Sequence, residues 1–441
     1  MPSSNRYRPL LYLFLLLSCG VRLYAESREL RFELDTPGEV IAEITASAPS
    51  TSWERSGAEA AVATVYVDGR YNQDLILFQG SQPWTYRVFL GPLEAGTHGV
   101  RVVQNSRWSA PGAGLRVDEI RARVVAADAP GYRALAHAPI LYARADTLGR
   151  FSDVPLLIWY EQDSSPEGEV LQYSVIFSNE DGGTPTDALM ARWGRATDIE
   201  YVYRVRLDSH GDVQEELFQG PSHKEATFRG RRMARHPYLL IATRNNMFVD
   251  TGFSPLQFHL APVGADLDGN SREELMDRFP WTYRIMAQEL EREGKLRPYG
   301  IRNGPAVSDP RQYLYVELRA EHRNSGSTAW VKLKGQSRWH SSHKGRDEFA
   351  ISRNGWFRTT VELPSGTAEE DIELIAFQCL DLRAADAGGA RDDGKCDLQE
   401  VRKVFLLDSE YRPGRNLLGN STPVSLRPGE MVAFPLGSLE D

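Results

Sequence analysis

The chain is short of cysteine, short of net positive charge, and nearly devoid of long apolar runs. It has three cysteines in 441 residues, too few for a disulfide-framed scaffold or a Cys-rich zinc module. The formal charge of −9 excludes nonspecific nucleic-acid binding, because a polyanion demands a basic face. Beyond the first 25 residues no apolar stretch approaches the roughly 20 residues that a membrane helix needs. Three catalytic signatures are also missing: a Gly-x-Ser-x-Gly elbow, a phosphate-binding Gly loop followed by Lys, and His-Glu-x-x-His. Their absence disfavours a serine hydrolase, a nucleotide enzyme and a zincin. With 41% hydrophobic and 25% charged residues, the chain can bury ordinary cores, and its length implies two to four domains.

One apolar run does exist, and it lies at the start. Arg6 and Arg8 precede Pro9 to Leu17, and Leu23, Tyr24 and Ala25 offer a small residue at a cleavage point, so residues 1–25 read as an export signal. Leu16, Leu17 and Ser18 before Cys19 resemble a bacterial lipobox, which makes Cys19 a candidate lipidation site. The expected location is therefore outside the cytoplasm: secreted, periplasmic or lipid-anchored at the cell envelope. Cys379 and Cys396 remain as an even pair in an oxidising compartment, where a disulfide is expected.

Periodicity predicts a mainly β, multi-domain chain of β-sandwich modules. Residues 26–129 alternate in short runs (30–34, 40–44, 64–67, 84–90 and 99–103), with a tight turn at Asp68-Gly69 and another across 91–98. This predicts an N-terminal sandwich resembling the jelly-roll and immunoglobulin-like accessory modules of secreted proteins, many of which bind carbohydrate. Trp53, Trp84 and Trp108 are either sugar-stacking platforms or core residues. Residues 130–260 form a central β-rich domain. Residues 261–310 hold a helical insertion and linker, with Ser271 and Glu274 as a capping box, Pro280 in a first helical turn, and Ile285, Met286 and Leu290 at helical spacing before Gly294. Residues 311–441 return to strands at 313–318, 330–333, 357–363 and 372–377, a second sandwich whose tail from Pro413 packs back as an edge. Pro-Trp-Thr-Tyr-Arg occurs at 83–87 and at 280–284, once in a strand pattern and once in a helical one, and reads as coincidence.

The central domain carries the candidate chemistry. Asp198 and Glu200 flank Ile199 in a strand pattern, which sends both carboxylates to one face and Ile199, Tyr201, Tyr203 and Val205 to the other. Paired carboxylates repel unless a cation, a proton or an arginine joins them. Either they hold a calcium, magnesium or manganese ion, or they lie on a solvated face near Arg204 or Arg206. The order Asp198-Ile199-Glu200, His223, His236-Pro237 and a polar turn at Asn245-Asn246 gives residues 133–253 a similarity to two families. These are the plant and fungal vacuolar-protein-sorting-associated family and the secreted necrosis-inducing cytolysins. The resemblance implies a β domain in which Asp198, Glu200 and His223 hold a divalent cation that engages a membrane lipid headgroup.

Three weaker signals stand apart. Asp266 to Asn270 has the look of a calcium loop, but its glycine arrives too early for an EF-hand, and a turn before the Ser271 helix explains it better. His340 and His343, with Asp347 or Glu348, have chelating spacing but no helix to align them, so a solvated loop is expected. Asp381, Asp386, Asp392, Asp393 and Asp397 crowd the presumed disulfide loop as a charged segment. Two functions follow as expectations. One is a noncatalytic surface-binding protein for a glycan or lipid headgroup, using a cation at Asp198, Glu200 and His223. The other is a metal-dependent hydrolase of extracellular polymers or lipids, with Glu200 or His223 as general base and Asp198 as ligand. A structural envelope protein is the third.

Overall fold

The computed structural model of the chain describes residues 27–267, 269–301, 304–382, 394–418 and 421–436. The export segment with Cys19, Asp268, and Asp386, Asp392 and Asp393 of the acidic loop lie outside the described residues. The N-terminal sandwich is built from β1 (Arg28–Leu34), β2 (Gly38–Ser47), β3 (Val62–Val67), β4 (Arg70–Ile76), β5 (Trp84–Leu93), β6 (Gly96–Gln104) and β7 (Arg116–Val125). Its two antiparallel sheets run β1-β6-β3-β4 and β5-β2-β7. The β3–β4 hairpin turns on Asp68 and Gly69, both at positive φ (50° and 75°), as a two-residue turn that follows strand twist requires.

After α1 (Tyr132–Ala136), the central unit contributes β8 (Ile140–Tyr142), β9 (Pro155–Ser165) and β10 (Gly168–Phe177), then α2 (Thr186–Trp193). It continues with β11 (Ile199–Asp208), β12 (Val213–Gly220), β13 (Lys224–Thr227), β14 (Arg232–Met233) and β15 (His236–Ile241), and closes with β16 (Phe248–Val249), β17 (Gln257–Phe258) and β18 (Val263–Gly264). One sheet runs β13-β12-β11-β10-β9-β18; the other runs β14-β15-β8-β17, with β16 on β15. Helices α3 (Glu274–Arg278) and α4 (Trp281–Arg292) follow. The C-terminal sandwich has β19 (Tyr313–Arg323), β20 (Ser325–Leu333), β21 (Trp339–Ser341), β22 (Gly355–Glu362), β23 (Ile372–Asp381), β24 (Lys395–Phe405), β25 (Val424–Leu426) and β26 (Met431–Pro435). Its sheets run β22-β19-β24-β25 and β21-β20-β23-β26, so the tail does return as two edge strands. Mainly β, sandwich-built architecture is thus the fold.

The cores do not respect the expected segment boundaries. A single apolar cluster runs from Leu34 through the first sandwich and the central unit to Ile285. A backbone bridge joins Val88 to Leu260, and Phe89 stacks on both His236 and His259 at 4.4 and 5.0 Å. A second cluster, with Trp159, Met190, Ile199, Met286, Tyr315 and Phe405, locks the helices between the central unit and the last sandwich. Arg358, fully buried on β22, donates to both carboxylate oxygens of Asp277 (2.7 and 2.8 Å), to Glu317 (2.5 Å) and to the Tyr283 hydroxyl (2.7 Å).

Several local readings change. Ser271 does not cap α3; its hydroxyl donates to Glu317 at 2.9 Å, and Glu273 occupies the cap position. Trp53 is buried, its indole N–H donating to Glu289 at 3.2 Å. Trp84, half-buried, meets Trp281 edge-on at 5.6 Å, so the two unrelated Pro-Trp-Thr-Tyr-Arg copies touch through their tryptophans. The strand β11 is bulged at Val202, where pairing with β10 jumps from Tyr203/Tyr173 to Tyr201/Ser174. One extra residue reverses the alternation. Ile199 therefore joins Ile176 in the helix-side cluster, whereas Tyr203 and Val205 join Tyr173 and Val175 in the large core on the opposite face, contrary to strict alternation.

Candidate functional site

The chain enters β11 by continuing its pairing with β10, the Phe177 amide donating to the Asp198 carbonyl at 2.9 Å. That pairing fixes Asp198 and Glu200 two residues apart at the sheet end, on one side, as expected. Their environment is not the solvated face near Arg204 or Arg206. Both carboxyls are buried, and those arginines pair with Glu225 and Glu215 instead. Burial raises both the Asp198 and the Glu200 carboxyl, and the Asp198 charge raises Glu200 further. Glu180, accepting from the Thr184 amide at 2.8 Å, is pushed up to about 8 by burial and by the Asp198 charge.

The neighbours come from segments far apart in sequence. Gln219 on β12 donates its amide to Glu200 at 2.5 Å, and the same nitrogen lies 2.9 Å from His223 Nδ1. His223 is exposed, 3.9 Å from Glu200, on a backbone turn at φ 55°. The side chain of Asn246 donates to Asp198 at 3.0 Å, and Asn245 reaches His223 Nε2 at 3.2 Å. A neutral imidazole accepts at one nitrogen only. With Gln219 committed as donor to Glu200, Nδ1 is the acceptor and the Asn245 amide must turn its oxygen to Nε2–H. The sequence-predicted Asp198, Glu200 and His223 are thus brought together, along with the turn at Asn245-Asn246. Among the described residues, however, no three His, Cys, Asp or Glu side chains are arranged to hold a metal ion.

Glu180, Asp198, Glu200, His223 and Asn245 line a cleft of about 640 Å³ between the central unit and the last sandwich. Sequence reasoning missed its other wall: Trp193 at the end of α2, Arg195, Glu273, Arg353 and Trp356. The signal for α2 was present in Pro185 and Gly194 bracketing an eight-residue helix. Gly194 ends that helix at φ 66°, and a Cβ there would come within 2.7 Å of the Arg358 side chain. Arg195 donates to Glu273 at 2.9 Å and to the Thr197 carbonyl. Its charge pulls the Asp198 carboxyl down, but burial outweighs it.

The other candidates separate. His340 and His343 are buried, not in a solvated loop; His340 meets the Tyr299 hydroxyl at 2.9 Å and His343 the Thr328 hydroxyl at 3.0 Å. Cys379 and Cys396 form the expected disulfide, with Cα atoms 5.7 Å apart. Asp397 pairs with Lys395 at 2.8 Å. No helix among the described residues is long and apolar enough to cross a membrane.

The raised carboxyls make a testable statement about stability. The folded state holds a proton on Glu180 that the unfolded chain releases above about pH 4.3. Stability is therefore fullest below that value and drains as pH rises to about 8. Glu180→Gln is expected to flatten this dependence and to exceed the parent by about 2 kcal/mol at the alkaline end. Unfolding curves at mildly acidic and mildly alkaline pH decide it, and parallel profiles for the two proteins would refute the assignment.

No protein-family model matches the chain, and no curated protein matches it. Among solved structures, a family 35 carbohydrate binding module from an environmental isolate is 22% identical over 23% of this chain and 66% of its own, with a TM-score of 0.18. A family two carbohydrate esterase from Clostridium thermocellum in complex with cellohexaose is 14% identical over 33% of this chain and 36% of its own, TM-score 0.16. The C-terminal domain of EclA, a sugar-binding protein, is 15% identical over 27% of this chain and 100% of its own, TM-score 0.15. This chain covers just under two thirds of the first of these and about a third of the second, and at such TM-scores the similarities carry no argument about its ligand.

Proposed function

We propose that the chain is a noncatalytic saccharide-binding protein that works outside the cytoplasm, its ligand entering the cleft between the central unit and the last sandwich. The observation that supports this is the lining itself. Buried carboxyl and guanidinium groups stand beside two half-buried indoles in a space of about 640 Å³, within the usual range for a small-molecule site. A sugar offers both of the things such a wall can hold, a ring of hydroxyls and apolar C–H faces. Protonated Glu200 and Glu180 can donate to sugar oxygens as well as accept, which widens the set of hydroxyls they satisfy.

Binding of a panel of oligosaccharides to residues 26–441 is the test, with Glu200→Ala and Trp356→Ala alongside. Both substitutions are expected to weaken the best ligand at least about tenfold, or roughly 1.4 kcal/mol, while the circular dichroism spectrum is kept. Binding to anionic or zwitterionic lipid vesicles but to no sugar would replace the saccharide reading with the headgroup one. A calcium-, magnesium- or manganese-specific stabilisation abolished by Asp198→Ala and Glu200→Ala would restore the cation expected at Asp198, Glu200 and His223.

The two buried, raised carboxyls of Asp198 and Glu200 in one cleft favour one second reading, a hydrolase. Carboxyl pairs that share a proton can take a proton from water on one oxygen and give one to the substrate from the other. Product release from a polymer or ester by the parent protein, lost in Asp198→Asn, would support it.

A further inference from the structure

We infer that the ligand of this cleft is an anionic sugar, held through its acidic group by the Arg353 and Trp356 side chains. The inference rests on the saccharide reading above and names the substrate class of the same site. It starts from an asymmetry between two guanidiniums. Arg195 is fully engaged by Glu273 and the Thr197 carbonyl. Arg353 lines the same cleft, yet its Nη1 is buried with no hydrogen-bond partner. The Trp356 indole N–H, three residues on and also lining the cleft, is buried and unpartnered too.

Two such orphan donors are costly, because each buried donor left unmade forfeits about 1–3 kcal/mol. Neither can find its partner nearby. Trp356 is covered on its ring by Arg402 at 3.9 Å, and Arg353 stacks on Trp193 at 5.0 Å and on Phe357 at 5.2 Å; rings and cations accept nothing from these N–H groups in the plane. Glu273, whose charge Arg353 feels, already accepts from Arg195, and the positive charges of Arg195 and Arg192 crowd Arg353 further. Burial without a full counter-charge draws the Arg353 guanidinium down to about 10. What completes the site is an acceptor with negative charge and two oxygens. A planar fork of donors suits the carboxylate of a uronic acid, and a sulfate ester shares the same chemistry.

The opposite wall fits the rest of such a molecule. Burial holds the Glu180 and Glu200 carboxyls well above the usual carboxylate range, which lessens their repulsion of an acidic ligand. The charge selection is therefore assigned to the Arg353 end.

The experiment measures calorimetric binding of three oligosaccharides matched in length: a neutral one, a uronate one and a sulfated one. The parent protein is expected to favour an acidic sugar over the neutral one at least about tenfold. Arg353→Gln, which removes the charge, and Trp356→Phe, which removes the N–H together with part of the ring, are expected to weaken the acidic sugar more than the neutral one and to bring the preference to within about twofold. Uronate over sulfate, or the reverse, identifies which acid the fork takes. Equal affinity for neutral and acidic sugars overturns the inference and leaves the saccharide reading standing. A preference that survives both substitutions overturns it as well. If no sugar binds, both fall together.

Discussion

Arg358→Met is expected to cost about 3–5 kcal/mol, the penalty for stranding buried charges by removing their partner. The guanidinium is inaccessible to solvent and satisfies Asp277, Glu317 and Tyr283 at once. Methionine fills much of the same volume, so the loss measures charge and hydrogen bonding more than cavity. Glu317 would be left with the Ser271 hydroxyl, and Asp277 with Lys403 at 2.7 Å and the Tyr283 hydroxyl. Because this network joins α3 and α4 to the last sandwich, its loss should also loosen the cleft wall built on β22. Adding Glu317→Gln to Arg358→Met is expected to recover a substantial part of the stability, since one stranded charge is gone. Urea unfolding of the three proteins, followed by tryptophan fluorescence, gives the comparison. A single-variant cost under about 1 kcal/mol would show that the network is dispensable.

The second large effect belongs to the disulfide. Cys379 lies on β23 and Cys396 on β24, strands of opposite sheets, and both sulfurs sit in the sandwich core. The bond therefore staples the two sheets across a short loop of 17 residues. Removing it with the pair Cys379→Ala and Cys396→Ala is expected to cost about 3 kcal/mol, chiefly by freeing the unfolded chain. Denaturation midpoints with and without reductant, against the double variant, test this. The double variant should match the reduced parent and no longer respond to reductant. Unchanged midpoints in all samples would mean that packing alone holds the sheets.

Much of the architecture was legible because strand formation leaves a local trace. The alternation in 30–34 and 84–90, the Asp68-Gly69 turn, and the return of strands after 311 each reflect side chains meeting water and core on alternate faces. Helix α4 announced itself through Ile285, Met286 and Leu290, and the disulfide through the parity of two cysteines. Two local signals misled. The bulge at Val202 cannot be read from alternation, since one inserted residue reverses faces without changing composition. Ser271 had the right spacing for a cap, but Glu317, from a strand 46 residues away, took its hydroxyl.

The candidate site divides in the same way. Sequence alone determined that Asp198 and Glu200 would point together and that His223, Asn245 and Asn246 followed in an order compatible with one site. The first is backbone periodicity; the second is what the family resemblance implies. Only the tertiary structure decided that both carboxyls are buried, that burial raises them, and that Arg353 and Trp356 line the same cleft. Periodicity reports which way a side chain points; the charge, solvent and partners it meets there are set by other segments, from Gln219, 19 residues past Glu200, and Asn246, 48 past Asp198, to the last sandwich, and these decide its chemistry.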